Sequence, residues 1–209
     1  MNLPELLRTR RSVRRFRADP PPDEILEGLI ALATLAPSAS NKQPWRFLVV
    51  QRRALIEAMA AAVRSALAEV TRHVPAESQP ALAAYGDYFT RFEGAPTVIV
   101  PIARGHTVLS NLVSGEIDPG LRATITAMER GSGLVGASLA LGHLLLGAHD
   151  AGLGASAMTG PLLAEPALRS LLEVPASWTL VALVALGYPD EAPPPTDRKP
   201  PSSVTRWIR

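Results

Sequence analysis

Apolar and polar residues follow two periods along the chain, which predict helices and short strands in turn. A helix-period stripe begins after Asp23, which we expect to cap the helix, and Pro37 ends it. A nearly continuous apolar run over 178–186 predicts a central strand that is buried on both faces. Further helices are predicted over 3–9, 54–74, 79–92, 121–151 and 165–173, and further strands over 45–51, 96–103 and 155–159. The order is α–α–β–α–α–β–α–β–α–β, and helices outweigh strands.

Three stretches depart from these patterns. Residues 104–120 are poorly patterned and are interpreted as a surface loop or lid. The 121–151 helix is expected to bend near Gly131-Ser132-Gly133, and its uncharged part, 131–149, has nearly the length of a membrane span. Five glycines and two histidines in that part favour a helix buried in the core. The last 22 residues, 188–209, hold six prolines and are predicted to form a linker or an arm.

Composition limits the chemistry that the chain can carry out alone. A length of 209 residues with 47% hydrophobic and 19% charged residues predicts one folded domain. The absence of cysteine excludes disulfides, a thiol nucleophile, Fe–S ligation and cysteine-bound zinc. The four histidines lack H-x-x-x-H spacing, so no metal site is expected. Residues 1–5 lack an apolar signal region, which favours a cytoplasmic protein that binds no membrane.

Positive charge is concentrated near the N-terminus. Residues 8–17 hold six arginines and no acidic residue, whereas the rest of the chain carries 15 basic and 19 acidic residues. Guanidinium groups bind phosphate through paired hydrogen bonds, and Ser12 adds a hydroxyl donor, so the segment predicts an anion site. A solvated basic stretch or a nucleic-acid patch is the alternative. Aromatic residues are not interleaved as stacking on single-stranded nucleic acid requires, and no nucleic-acid partner is expected.

Three further segments have both a functional and a structural interpretation. The 37–45 loop is dense in short hydrogen-bonding side chains that suit the edge of a heterocycle, although the same residues form ordinary turns. Residues 131–136 match G-x-G-x-x-G but follow a helix, so close helix packing is favoured over dinucleotide binding. The glycines in 152–160 would allow a ligand to approach the backbone closely, or they mark the end of a helix and a turn. No G-x-S-x-G or Walker A loop is present, so an enzymatic function implies that a cofactor carries the reaction.

Five segments, taken in order, resemble the nitroreductase family of FMN-dependent oxidoreductases over essentially the whole chain. They are R-R-S-V-R-R-F at 10–16, P-S-A-S-N-K-Q-P-W at 37–45, G-L-G at 152–154, G-Y-P at 187–189 and R-K-P at 198–200. The resemblance implies one α+β domain over 1–209, with a central mixed, mainly antiparallel sheet flanked by helices. It also implies an intertwined homodimer with FMN sites at the interface. The 131–149 helix would then form the dimer core, and the 188–209 arm would wrap the partner.

The resemblance assigns the cofactor-binding residues to four places in this sequence. Arg10, Arg11 (partly through its backbone) and Ser12 would bind the FMN phosphate and ribityl region, and Arg14 would face the pyrimidine edge of the flavin. The Thr159–Gly160 backbone would lie against flavin N5. The phosphate site would be closed by Arg198 and Lys199, and the 37–43 loop of the other subunit would contact the ring and ribityl chain through Pro37, Ser38, Ala39, Asn41 and Gln43. Ala39 stands where serine is frequent in the family, so one ribityl contact differs here.

The implied activity is transfer of reducing equivalents from NADH or NADPH, through flavin N5, to a nitroaromatic, quinone or similar small acceptor in ping-pong fashion. No catalytic side chain is assigned, because the flavin carries the chemistry. Two alternatives keep the flavin: an oxidase or dehydrogenase of a natural-product or peptide substrate, and a flavin-binding protein without nicotinamide-driven turnover. Neither the physiological substrate nor the choice between NADH and NADPH follows from the sequence.

Overall fold

The computed structural model describes residues 2–209, and the predicted alternation of helices and strands is found in it. The helices are α1 (Leu3–Thr9), α2 (Asp23–Thr34), α3 (Arg53–Thr71), α4 (Gln79–Gly86), α5 (Leu109–Leu112), α6 (Pro119–Asp150), α7 (Glu165–Leu171) and α8 (Pro201–Val204). The strands are β1 (Trp45–Val50), β2 (Thr97–Ala103), β3 (Gly154–Met158), β4 (Thr179–Leu180) and β5 (Leu183–Gly187). Short 3-10 turns at 39–41, 76–78, 87–89, 91–94 and 160–164 connect them.

One sheet organises the chain, with strands in the order β1–β2–β5–β3 and β4 paired to the end of β2. All pairings between these strands are antiparallel, and a parallel bridge joins Ser12 to Ala155 beside β3. The predicted mainly antiparallel sheet is therefore confirmed. Every residue of β2 and of β5 is buried, as continuous apolar strands predict when both faces of a sheet are covered.

Helices cover the sheet on its two faces, each with an apolar layer. On one face α3 and α7 pack on the sheet through the fully buried side chains of Ile56, Met59, Val63 and Leu168. On the other face α2 and α6 do so, and their fully buried or nearly fully buried residues are Leu26, Leu29, Ala33, Ala137, Ala140, Leu144 and Ala148. This arrangement leaves one edge of β3 free for the arginine segment.

α6 is one continuous helix of 32 residues, and the glycines at residues 131–133 do not interrupt it. Its glycines serve close packing instead, because a Cβ on Gly133 would overlap the carbonyl of Arg104. By length and composition alone α6 could cross a membrane. Leu144 and its buried neighbours lie against the sheet, which identifies α6 as a core helix of the domain.

Three local predictions need correction. Asp23 is the first residue of α2 rather than its cap, and no side chain caps that terminus because Pro22 precedes it. The 178–186 run is two strands: the N–H of Val181 donates to the carbonyl of Pro101 (2.9 Å), and Pro101, which has no N–H, interrupts the ladder. The 104–120 lid contains the short helix α5.

Candidate functional site

The arginine segment lies along the free edge of β3. Ser12 bridges Ala155 in parallel, and the N–H of Val13 donates to the carbonyl of Ala155 (3.2 Å). Val13 is buried against Gly154, where an added Cβ would lie 2.6 Å from its Cγ1, so only glycine permits this approach. The segment is thus fixed by backbone pairing before its charged side chains are considered.

Glu191 anchors the same segment from the other side. Its Oε1 accepts the backbone N–H of Arg14 at 2.6 Å and that of Arg15 at 3.2 Å, and its Oε2 lies 3.3 Å from Arg15 Nε. The Arg15 carbonyl accepts the N–H of Asp190 at 3.0 Å. Glu191 was not predicted from the sequence, in which its only local signal is an acidic pair directly after G-Y-P.

The structure brings four predicted phosphate ligands together from both ends of the chain. A pocket of about 380 Å³ is lined by Arg10, Arg11, Ser12, Arg14, Pro193, Pro194, Thr196 and Arg198. Among residues 2–209, neither Arg10 nor Arg198 forms an ion pair with a carboxylate. Burial lowers the pKa of the Arg10 guanidinium, and repulsion from Arg198 and then Arg11 lowers it further. Mutually repelling, unpaired guanidinium groups around a pocket are the electrostatic signature of an anion site. Lys199 is exposed and does not line the pocket.

Arg11 and Arg14 are oriented differently from Arg10. The Arg11 Nη1 donates to the carbonyls of Arg8 (2.6 Å) and Arg10 (2.8 Å), so its side chain helps to fold the segment itself. The Arg14 Cζ lies 5.4 Å from the centroid of the Tyr88 ring, which also stacks on Arg91 at 4.0 Å. Tyr88 was not predicted, because its sequence neighbourhood resembles any helical surface.

The 37–43 loop has an unusual backbone. Ser40, Asn41 and Gln43 have φ angles of 50°, 50° and 46°, in the left-handed region that non-glycine residues rarely adopt. The Ser38 hydroxyl accepts the N–H of Gln43 at 2.9 Å, which holds the turn. Such backbone conformations cluster at ligand-binding sites. Pro37, Ser38 and Ala39 line a pocket of about 490 Å³ against α6, and the residues of that pocket include none of the arginine segment.

The predicted site residues therefore form separate groups within one chain. The arginine pocket is one group, and the 37–43 loop with its α6 neighbours is another. Thr159 and Gly160 follow β3 directly, and Phe89 covers Gly160 so closely that an added Cβ would overlap its ring. Among residues 2–209 no group of three acidic or histidine side chains is placed to hold a metal ion.

Comparison with known proteins places this arrangement in a family. The model of the nitroreductase family matches residues 7–188. The chain belongs to the nitroreductase family. Among curated nitroreductase relatives, a Thermus thermophilus protein named NADH dehydrogenase is 33% identical, over 95% of this chain and 92% of its own. A Rhodospirillum rubrum 5,6-dimethylbenzimidazole synthase is 29% identical, over 92% of this chain and 84% of its own.

Solved structures show the same nitroreductase fold. A BluB-like flavoprotein from Clostridium difficile superposes with a TM-score of 0.81 at 23% identity, and each chain is covered completely. A Desulfitobacterium hafniense nitroreductase with bound FMN superposes with a TM-score of 0.70 at 25% identity, again with complete coverage of both chains. The family and the fold that the sequence motifs indicated are thus confirmed, and FMN is bound by a member of the family with this architecture.

Proposed function

We propose that this nitroreductase-family chain is an FMN-dependent oxidoreductase whose phosphate site is the arginine pocket. The observation that carries the proposal is the cluster of Arg10, Arg11 and Arg198 around one pocket without a carboxylate partner. A phosphate dianion would remove the repulsion among these cations, and its oxygens would accept from guanidinium groups and from the Ser12 hydroxyl. The residues present therefore fit the phosphate end of FMN.

The remaining chain residues would orient the flavin and exclude water. Arg14, held by the Glu191 anchor, would place a cation at the pyrimidine edge, where reduced flavin carries negative charge. The Thr159–Gly160 backbone would lie against N5. Bound FMN would supply hydride transfer from NADH or NADPH to a nitroaromatic, quinone or similar acceptor, both using one site in turn.

A second copy of the chain would complete the site. The 37–43 loop does not reach the arginine pocket of its own chain, so its contacts with FMN require the pocket of a partner. α6 exposes an apolar face that includes Leu134, Val135 and Leu139, 45–61% exposed. The arm ends in Trp207 and Ile208, which are 77% and 86% exposed. Exposed apolar surface of this extent supports a homodimer in which α6 faces α6 and the arm wraps the partner.

Anaerobic spectroscopy tests the proposal. The protein is purified with FMN, excess FMN is removed, and the visible spectrum is recorded before and after NADH or NADPH is added. We expect stoichiometric oxidised flavin that bleaches with at least one nicotinamide and regains its colour when 4-nitrobenzoate or a quinone is added. A chain that retains no flavin after reconstitution would contradict the proposal.

One relative favours a second candidate function. The similarity to a 5,6-dimethylbenzimidazole synthase shows that family members named for other reactions are about as similar to this chain as those named for NADH oxidation. The alternative is a flavin enzyme that acts on a bound organic substrate without nicotinamide turnover. Bound flavin that stays oxidised with both nicotinamides would favour this alternative.

A further inference from the structure

α6 carries a buried carboxylate, Glu129, whose hydrogen-bond partners lie outside the proposed FMN site. Glu129 is only 6% exposed. Its Oε1 accepts the backbone N–H of Val108 at 2.6 Å and that of Ser110 at 3.1 Å, and its Oε2 accepts the Ser110 hydroxyl at 2.5 Å. These hydrogen bonds lower the pKa of Glu129, with the Ser110 hydroxyl as the largest cause, whereas burial acts in the opposite direction. All three of these hydrogen bonds therefore join the carboxylate to one short segment of the chain, residues 108–110.

These residues belong to the segment 106–112, which crosses α6 and is attached at two points. Immediately before this segment the backbone lies directly on the helix, since a Cβ on Gly105 would lie 2.8 Å from the Cα of Arg130. At its other attachment Glu129 binds the first turn of α5. Between the two points, His106 Nε2 is buried without a hydrogen-bond partner among residues 2–209, so this atom adds no hydrogen bond to the attachment.

The attached segment forms one wall of a pocket of about 310 Å³. The other walls are α6 and the 37–43 loop, and the lining residues are Ala39, Ser40, Lys42, His106, Val108, Leu109, Met128, Glu129 and Ser132. Although five of these nine residues are polar or charged, most of the surface that they expose to the pocket is apolar. Lys42 is the only lysine or arginine among the lining residues and forms no ion pair within residues 2–209, while Glu129 is the only carboxylate and is already bound by three donors.

We propose that Glu129 is a positioning residue that holds the 106–112 segment as one wall of the 310 Å³ pocket. We assign this pocket to the electron acceptor because another of its walls is the 37–43 loop, which would contact the flavin. The pocket would take compact apolar acceptors that are neutral or carry an anionic substituent, because Lys42 offers an unpaired cation while three hydrogen-bond donors partly offset the charge of the Glu129 carboxylate. The identity of the ligand as an electron acceptor rests on the proposed function. The attachment of the segment by Glu129 does not.

Glu129→Gln tests both parts, with Glu116→Gln as the matched control, since Glu116 lies in the exposed part of the same region and makes no hydrogen bond among the described residues. Glu129→Gln keeps one oxygen for the two backbone N–H groups but makes that acceptor neutral and turns an NH2 group toward the Ser110 hydroxyl, so hydrogen exchange at residues 108–110 should accelerate about tenfold or more. In the FMN-loaded enzyme, KM for 4-nitrobenzoate should rise about fivefold or more, with kcat and FMN affinity changed less than about twofold. Glu116→Gln should change none of these quantities.

The wild-type acceptor series tests the substrate class. 4-Nitrobenzoate and nitrobenzene should have lower KM values than 4-nitrobenzyltrimethylammonium, and a preference for the cation would overturn the class. Unchanged exchange in Glu129→Gln would overturn the attachment, and faster exchange with unchanged KM would overturn the assignment of the pocket. If Glu129→Gln fails to fold, the same exchange and KM measurements on Ser110→Ala test the proposal, because this substitution removes one of the three hydrogen bonds. A chain that binds no FMN contradicts the proposed function, and the exchange experiment still tests the attachment.

Discussion

Removing one guanidinium from the arginine pocket should weaken FMN binding without weakening the fold. Arg10 is half-buried beside Arg198 and Arg11, and burial, followed by repulsion from these two residues, lowers its pKa. A charge-assisted hydrogen bond is worth about 1.5–3 kcal/mol, which corresponds to about 10-fold to 150-fold in affinity. We expect Arg10→Ala to fall in the upper part of this range because of its burial. Arg198→Ala should fall in the lower part, since Arg198 is exposed and screened by solvent.

The assay is a titration of apoprotein with FMN, followed by flavin fluorescence, and repeated with riboflavin, which lacks the phosphate. The two substitutions should affect FMN and leave riboflavin nearly unchanged. The melting temperature of the apoprotein should not fall with Arg198→Ala, because its loss relieves repulsion on Arg10. Lys199→Ala is the matched control, since Lys199 does not line the pocket. Equal losses for FMN and riboflavin, or no loss for either, would refute the assignment.

Two further predictions concern the surroundings of this pocket. Glu191→Gln should lower the free energy of unfolding by about 1–3 kcal/mol in urea titrations, because two backbone N–H groups lose a charged acceptor; Asp190→Asn, on an exposed neighbour, should not. The pKa of His149 is lowered by burial, then by Arg10 and Arg11, and FMN phosphate would offset those two charges. In an NMR titration the His149 pKa should therefore lie below the ordinary histidine value without FMN and rise when FMN binds; a fall on binding would contradict the placement of the phosphate.

The sequence predicted elements well where a local period determines structure. The helix over Arg53–Thr71 and the strands Trp45–Val50 and Thr97–Ala103 lie within a few residues of their predicted bounds, because apolar spacing reports which face is buried. Local patterns were less informative where a distant part of the chain determines the role of a residue. The glycines of α6 indicated a weakened or bent helix, yet the helix is continuous and Gly133 accommodates the Arg104 carbonyl.

The residues of the candidate site likewise include some that the sequence predicted and others that it did not. An anion site at the arginine segment was predicted from its lack of acidic residues, whereas Arg198 was assigned only through the family resemblance; Arg10 and Arg198 do line one pocket. Glu191, Tyr88 and Glu129 could not be found, because each acts on a segment far away in the chain. Pairing of Glu129 with Ser110 depends on how the lid crosses α6, and no local pattern encodes that crossing.

The proposed function depends most on the claim that the arginine pocket of one chain and the 37–43 loop of another together bind FMN. The direct measurement is the FMN content of a hybrid dimer in which one chain carries Arg10→Ala with Arg198→Ala and the other carries Asn41→Ala with Gln43→Ala, each with its own affinity tag. In the hybrid, one FMN site combines the substituted pocket with the substituted loop, and the other site combines the unsubstituted pocket with the unsubstituted loop. We predict one FMN per hybrid dimer, while both parent proteins retain little. A hybrid as empty as its parents, or a monomeric protein that binds FMN stoichiometrically, would contradict the claim.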